Sequence, residues 1–155
     1  MTVASESSSP AESLEAVRAV ALATGLPYSG GVSPQLAWEL FSAGLAQLVD
    51  VRTTEERKFV GHVPGSLHVA WATGTSLTRN PRFVRELEAK VGNSANVLLL
   101  CRSGKRSVLA AEAAAKAGFT RVFNVLEGFE GDLDEHFQRG RINGWRHAGL
   151  PWEQL

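Results

Sequence analysis

The chain has 155 residues, of which 44% are hydrophobic, and its 16 basic residues balance its 16 acidic residues. This length suits one packed domain rather than two, and the zero net charge provides no general basic surface for nucleic acid. One cysteine excludes an intrachain disulfide, and the four histidines lack metal-ligand spacing. No apolar run could span a membrane, and the acidic N-terminus lacks the pattern of a secretory leader. We expect a cytoplasmic protein with no cofactor, no nucleic-acid partner and no membrane partner.

The first third of the chain is predicted to be helical. Residues 1–8 are polar and serine-rich, which predicts a disordered N-terminus. The segment 9–12, Ser-Pro-Ala-Glu, combines an N-cap, a first-turn proline and capping-box spacing, so it predicts a helix that ends at Gly25 and is followed by a connector to residue 32. The Ser-Pro pair at 33–34 repeats this signal and predicts a second amphipathic helix ending at Gly44.

Short apolar runs alternate with helical patterns along the rest of the chain. This alternation favours an α/β domain with a mainly parallel sheet. The predicted strands are 46–51, 67–71, 97–100 and 121–125, and the predicted helices are 53–60, 80–90 with Gly92 and Asn93 as its stop, and 108–117.

The last thirty residues carry weaker signals. Glycines and acids in 126–137 predict a loop that enters a short helix. Residues 139–155 are predicted to form an irregular C-terminal tail that packs on the domain, because a free tail would expose Trp145 and Trp152 to water.

The stretch with the clearest chemistry begins at the apolar run 97–100, which predicts a buried strand. It delivers the only cysteine into a loop that precedes a helix, where unpaired backbone N–H groups and the helix dipole favour an anion and stabilise a thiolate. Most lone cysteines are small buried apolar residues, but the three flanking cations favour a reactive thiol here. The predicted site comprises Cys101 as the nucleophile, with Arg102, Lys105 and Arg106 as cations, Gly104 as the turn of an anion-binding nest, and Ser103 and Ser107 as hydroxyl donors.

Three further residues have two interpretations each. Asp50 and Arg52 follow a predicted strand at the edge where α/β sites collect, and they could support the substrate or could form a structural hydrogen-bonded pair. His62 could act as a base toward Cys101, but a histidine inside a Gly-x-x-Pro-Gly turn is more simply a turn-stabilising residue.

Several ordered blocks of the sequence resemble the rhodanese-like sulfurtransferases. The matching blocks are Leu48-Val49-Asp50-Val51-Arg52 with Glu55-Glu56, the segment 61–66, the loop 101–107, Gly118-Phe119, and Asn124 to Gly128. The resemblance implies one rhodanese-like domain at 33–138, with a mainly parallel sheet flanked by helices on both faces.

The resemblance also implies a reaction. Cys101 would take a sulfane sulfur from a small anionic donor such as thiosulfate, with the donor held by Arg102 and Lys105. The resulting persulfide would pass sulfur to a thiol or to cyanide, and the acceptor could be a protein thiol.

Two alternatives stay open at the level of sequence. Cysteine phosphatases and arsenate reductases of related fold place an arginine after five intervening residues, whereas Arg106 follows Cys101 after four and position 107 is serine. The shorter loop favours a smaller reacting atom such as sulfur. The other alternative is a non-catalytic rhodanese-type module that binds a partner or senses redox state through Cys101.

Overall fold

The computed structural model describes residues 8–92 and 94–154. Of the predicted disordered segment, residues 1–7 lie outside the described part, as do Asn93 of the predicted helix stop and residue 155 of the predicted tail. The elements are α1 (Pro10–Thr24), β1 (Gly31–Val32), α2 (Pro34–Ser42), β2 (Gln47–Asp50), a π-helix (Glu56–Val60), β3 (Leu67–His68), β4 (Ala72–Thr73), β5 (Thr78–Arg79), α3 (Phe83–Val91), β6 (Val97–Leu100), α4 (Lys105–Lys116) and β7 (Val122–Val125).

Five strands form a parallel sheet in the order β1-β7-β6-β2-β3. Helices α3 and α4 contribute Phe83, Leu87 and Ala110 to the core on one face. Helices α1 and α2 contribute Leu14 and Leu40 to the core on the other face. The structure thus confirms the predicted α/β domain with a parallel sheet and helices on both faces.

The predicted helix starts near the N-terminus are confirmed. Ser9 and Glu12 form both hydrogen bonds of a capping box, and Gly25 ends α1 in the left-handed conformation with φ 74°. The Ser33 side chain accepts a hydrogen bond from the Leu36 N–H at the start of α2. Local sequence therefore defines these two helices.

The element boundaries near the cysteine differ from the prediction. Helix α4 begins at Lys105 rather than at Val108, because Gly104 adopts φ 94° and turns the chain directly into the helix. Lys105, Arg106 and Ser107 thus belong to the first helical turn. Helix α3 also begins late, at Phe83, because the Asn80 side chain accepts from the Arg82 N–H and forms a turn ahead of the helix.

The predicted short helix within 126–137 is wrong. Gly128 and Gly131 have φ of 70° and 84°, and Phe137 has φ 60°, all outside the helical region. The Asp134 carboxylate accepts hydrogen bonds from the N–H groups of His136 and Gln138, which holds the segment as turns. Two further features were not predicted: the edge strand β1 within the connector, and the antiparallel pair of β4 with β5.

The C-terminal segment lies against the loops around the sheet. Trp145 is fully buried, and its indole N–H donates to the Pro151 carbonyl at 2.8 Å. Glu153 pairs with His62 through two backbone hydrogen bonds of 2.9 Å. Over the described residues, the structure contains no helix with the length and apolar character needed to cross a membrane.

Candidate active site

Cys101 stands at the carboxyl end of β6, immediately before the turn into α4. Its side chain is buried, with 1% of its surface exposed. The sulfur accepts hydrogen bonds from the Gly104 N–H at 3.1 Å and the Ser107 N–H at 3.4 Å. Because these donors belong to the amino end of a twelve-residue helix, they favour negative charge on the sulfur. The structure therefore brings Cys101, Gly104 and Ser107 together.

A hydroxyl group supplies a third contact to this sulfur. The Oγ of Ser107 lies 3.2 Å from the Cys101 sulfur, and it also donates a hydrogen bond to Oδ1 of Asn124 on β7. Both Ser107 and Asn124 are buried. The sequence pattern predicts a role for Ser107 and none for Asn124, although Asn124 belongs to the block that resembles the rhodanese-like proteins.

The cysteine loop rests on a second loop, which follows β7. The carbonyl of Cys101 accepts from the Phe129 N–H at 2.7 Å, and the carbonyl of Arg102 accepts from the Glu130 N–H at 2.9 Å. A Cβ atom on Gly128 would lie 2.5 Å from the backbone of Arg102 and of Ser103. Glycine is thus required at position 128 by close approach as well as by its positive φ.

The three cations of the predicted site have different surroundings. Arg102 and Lys105 are exposed, and Ser103 between them is half-buried. Arg106 instead forms a bidentate ion pair with Glu56, with two N–O distances of 2.7 Å. Two of the three predicted cations are thus exposed to solvent, and the third is held by a carboxylate 50 residues earlier in the chain.

Glu56 is the residue that the sequence analysis missed in this ion pair. Burial alone would raise the pKa of Glu56, but the hydrogen bond from Arg106, the Thr53 N–H and the charges of Arg106 and Arg52 outweigh it and lower the pKa from 4.5 to about 2. The same hydrogen bond is the main cause of a raised pKa at Arg106. Both partners are therefore ionised at neutral pH.

A cleft of about 430 Å³ opens beside the cysteine loop. Charges of both signs line it, with two arginines, Arg102 and Arg106, and three glutamates. The residues that line it are Thr53, Glu55, Glu56, Val60, Gly74, Thr75, Leu77, Arg102, Arg106 and Glu130.

Asp50 and Arg52 form a buried pair at the end of the neighbouring strand β2. Both are 0% exposed, and the Arg52 guanidinium binds the Asp50 carboxylate in a bidentate manner. Arg52 also donates to the Gly61 carbonyl at 2.7 Å, and its guanidinium lies 4.3 Å from the centre of the Phe129 ring. Neither residue is among the described residues that line the cleft. The Nε2 atom of His62 lies 3.2 Å from Oε1 of Glu153 on the C-terminal segment.

Comparison with known proteins assigns the chain to a family. The sequence profile of the rhodanese-like domain matches residues 33–135. The chain is 44% identical to Rv0390 of Mycobacterium tuberculosis, whose crystal structure superposes with a TM-score of 0.74 over 83% of this chain and 99% of that one.

Two curated relatives align with most of this chain and with most of their own length. RP600 of Rickettsia prowazekii is 35% identical over 70% of this chain and 83% of its own length. Thiosulfate sulfurtransferase 16, a chloroplastic protein of Arabidopsis thaliana, is 32% identical over 77% of this chain and 89% of its own length. The chain described here belongs to the rhodanese-like family.

Proposed function

We propose that this protein is a sulfurtransferase in which Cys101 carries a sulfane sulfur as a persulfide. The observation that supports this most directly is the set of donors around the sulfur: the N–H groups of Gly104 and Ser107, with the Ser107 hydroxyl, at the amino end of α4. Such donors stabilise a thiolate before reaction and the charge that develops as a bond to sulfur forms or breaks. The name of the plant relative, thiosulfate sulfurtransferase 16, is consistent with this chemistry.

The proposed reaction has two displacement steps on sulfur. The Cys101 thiolate attacks the outer sulfur of thiosulfate, the sulfur–sulfur bond of the donor breaks, and sulfite leaves with the electron pair of that bond. The thiolate of an acceptor, or cyanide, then attacks the outer sulfur of the Cys101 persulfide. This breaks the second sulfur–sulfur bond and returns the Cys101 thiolate, so no external oxidant or reductant is consumed.

The exposed cations fit the role of donor binding in this proposal. Arg102 can present a planar pair of N–H groups to the oxygens of an anionic donor, and Lys105 can add a point charge. Arg106 is assigned a different role, since both of its terminal nitrogens bind Glu56. It positions the first turn of α4, and with it the N–H groups that contact the sulfur.

The test is direct because Cys101 is the only cysteine in the chain. Protein incubated with thiosulfate should gain the mass of one sulfur atom, measured by intact mass spectrometry, and should then form thiocyanate from cyanide. Cys101→Ser should do neither. The result that would overturn the proposal is a wild-type protein that forms no persulfide from thiosulfate or mercaptopyruvate. Release of phosphate from an aryl phosphate would then support the phosphatase alternative.

A further inference from the structure

The buried chain of contacts Cys101–Ser107–Asn124 contains one hydroxyl proton and two groups that can accept it. The Ser107 Oγ lies 3.2 Å from the Cys101 sulfur, and its hydroxyl donates to Asn124 Oδ1. A serine hydroxyl has a single proton to donate. When the sulfur is a thiol, its S–H can donate to Ser107, whose proton goes to Asn124. When the sulfur is a thiolate, it competes with Asn124 for that proton.

We infer that Asn124 is a positioning residue that draws the Ser107 proton away from the Cys101 sulfur and so sets how readily the thiolate forms. The inference deepens the proposed function, on whose assignment of Cys101 as nucleophile it rests. Loss of a hydrogen bond has a large free-energy cost at this position, because the three residues are at most 3% exposed and water cannot replace the missing partner. Ser107 lies on α4 and Asn124 on β7, so helix packing against the sheet fixes the contact.

Other charged groups near the sulfur act in parallel with this competition. Arg106 from α4 interacts electrostatically with Cys101 and with Asp50 at the end of β2. Glu56 from the π-helix neutralises Arg106 through the bidentate pair, and Arg102 follows the cysteine directly. Substitutions at position 124 leave all four of these charges in place, so their effect can be separated from that of the surrounding field.

The experiment measures the rate at which iodoacetamide alkylates Cys101 as a function of pH. The readout reports one site, because the chain has a single cysteine. Asn124→Ala removes the competing acceptor and frees the Ser107 hydroxyl for the thiolate, so the midpoint of the profile should fall by about one pH unit, equivalent to about tenfold in thiolate formation. Asn124→Asp keeps the size of the side chain and strengthens the acceptor, so the midpoint should rise.

The Ser107→Ala background separates an effect that acts through the Ser107 hydroxyl from a direct electrostatic effect of the side chain at position 124. In that background Asn124→Ala should leave the midpoint unchanged, and Asn124→Asp should shift it less than in the wild type. Asn96→Asp provides a control for charge added far from Cys101, because Asn96 precedes β6 at the other end of the strand, where it is partly buried and accepts from Arg121. That control should leave the profile in place.

Three results would overturn the inference: an unchanged or raised midpoint in Asn124→Ala, equal shifts with and without the Ser107 hydroxyl, or a shift in Asn96→Asp as large as that in Asn124→Asp. If Asn124→Ala does not fold by circular dichroism, the Asn124→Asp comparison in the two backgrounds decides the question. Alkylation requires no sulfur donor. The predicted shifts in a protein that never forms a persulfide would therefore refute the proposed function alone.

Discussion

Two arginine-containing sites lie at the carboxyl ends of the neighbouring strands β2 and β6, and they use arginine in opposite ways. In the first, the buried arginine cluster of Asp50 and Arg52, both residues are 0% exposed, and Asp50 also accepts from Arg57, whose side chain is 19% exposed. In the second, the cysteine loop 101–107, Arg102 and Lys105 are exposed.

The difference shows that a position at the carboxyl end of a strand is not enough to make an arginine a ligand-binding residue. An arginine whose guanidinium is buried against a carboxylate and a carbonyl has a structural role, and removal of its partner destabilises the protein because an uncompensated buried charge is left. An arginine that reaches solvent beside a nucleophile contributes little to stability and can bind an anion. Arg106 lies between these two cases, with its side chain 17% exposed and its charge matched by Glu56.

The largest expected effect lies in the buried arginine cluster. Asp50→Asn keeps the shape of the side chain but removes the charge that faces Arg52 and Arg57, and it should cost about 3 to 5 kcal/mol of the free energy of unfolding. Urea denaturation measures this cost. Asp132→Asn, at an exposed carboxylate, is the control and should change stability by less than about 0.5 kcal/mol. A similar cost in both variants would show that the loss at position 50 does not come from burial of the charge beside Arg52.

The pair of Glu56 with Arg106 should give a smaller and pH-dependent effect. Because folding lowers the pKa of Glu56 from 4.5 to about 2, the carboxylate contributes stability that is fully present above pH 4.5 and is lost as the pH falls through about 2. The contribution at neutral pH should be about 3 kcal/mol, because lowering the pKa from 4.5 to about 2 corresponds to about 1.36 kcal/mol per pKa unit.

Denaturation of the wild type and Glu56→Gln at several pH values measures this contribution. Stability of the wild type should exceed that of the variant at neutral pH, and the gap should close between pH 4.5 and 2. A gap that stays constant across this range would show that the ion pair is not its source. Glu55→Gln, which alters an exposed neighbour, should leave the curve unchanged.

Gly128 tests how far the cysteine loop depends on the loop beneath it. Gly128→Ala should cost about 1 to 3 kcal/mol, because the new Cβ would meet the backbone of Arg102 and Ser103 and because φ is 70°. The rate of persulfide formation should fall by more than the loss of folded protein explains, since the strain displaces the N–H groups that donate to the sulfur. Gly25→Ala, also at positive φ but with no neighbour within 4 Å, should lose stability while keeping activity.

The smallest expected change in stability is at the exposed cation. Arg102→Ala should alter the free energy of unfolding by less than about 0.5 kcal/mol. It should raise the KM for thiosulfate about tenfold, since a charge-assisted contact contributes roughly 1.5 kcal/mol or more, with little change in the stability of the persulfide. Steady-state thiocyanate formation measures the KM. An unchanged KM would remove Arg102 from donor binding and leave Lys105 as the remaining exposed candidate.

The starts of α1 and α2 were predictable because their signals are local, and the family and the fold class were predictable from ordered motifs and from the alternation of apolar runs with helical patterns. Ser9 with Glu12 and Ser33 with Leu36 form hydrogen bonds across three residues, which a linear pattern reveals. The all-buried strand β6 was evident from its four apolar residues. The π-helix was predicted only as a short helix. The helix predicted within 126–137 was wrong, because the acidic residues suggested a helix whereas glycines at positive φ form turns there.

By itself, the sequence determined that an apolar strand leads a single cysteine into a cation-rich turn at a helix start, because each of these features depends on neighbours within about four residues. Tertiary structure alone decided which cations remain open and what surrounds the sulfur. Glu56 reaches Arg106 across 50 residues, and Asn124 reaches Ser107 across 17. Such contacts depend on strand order and helix packing, which bring distant segments to one sheet edge.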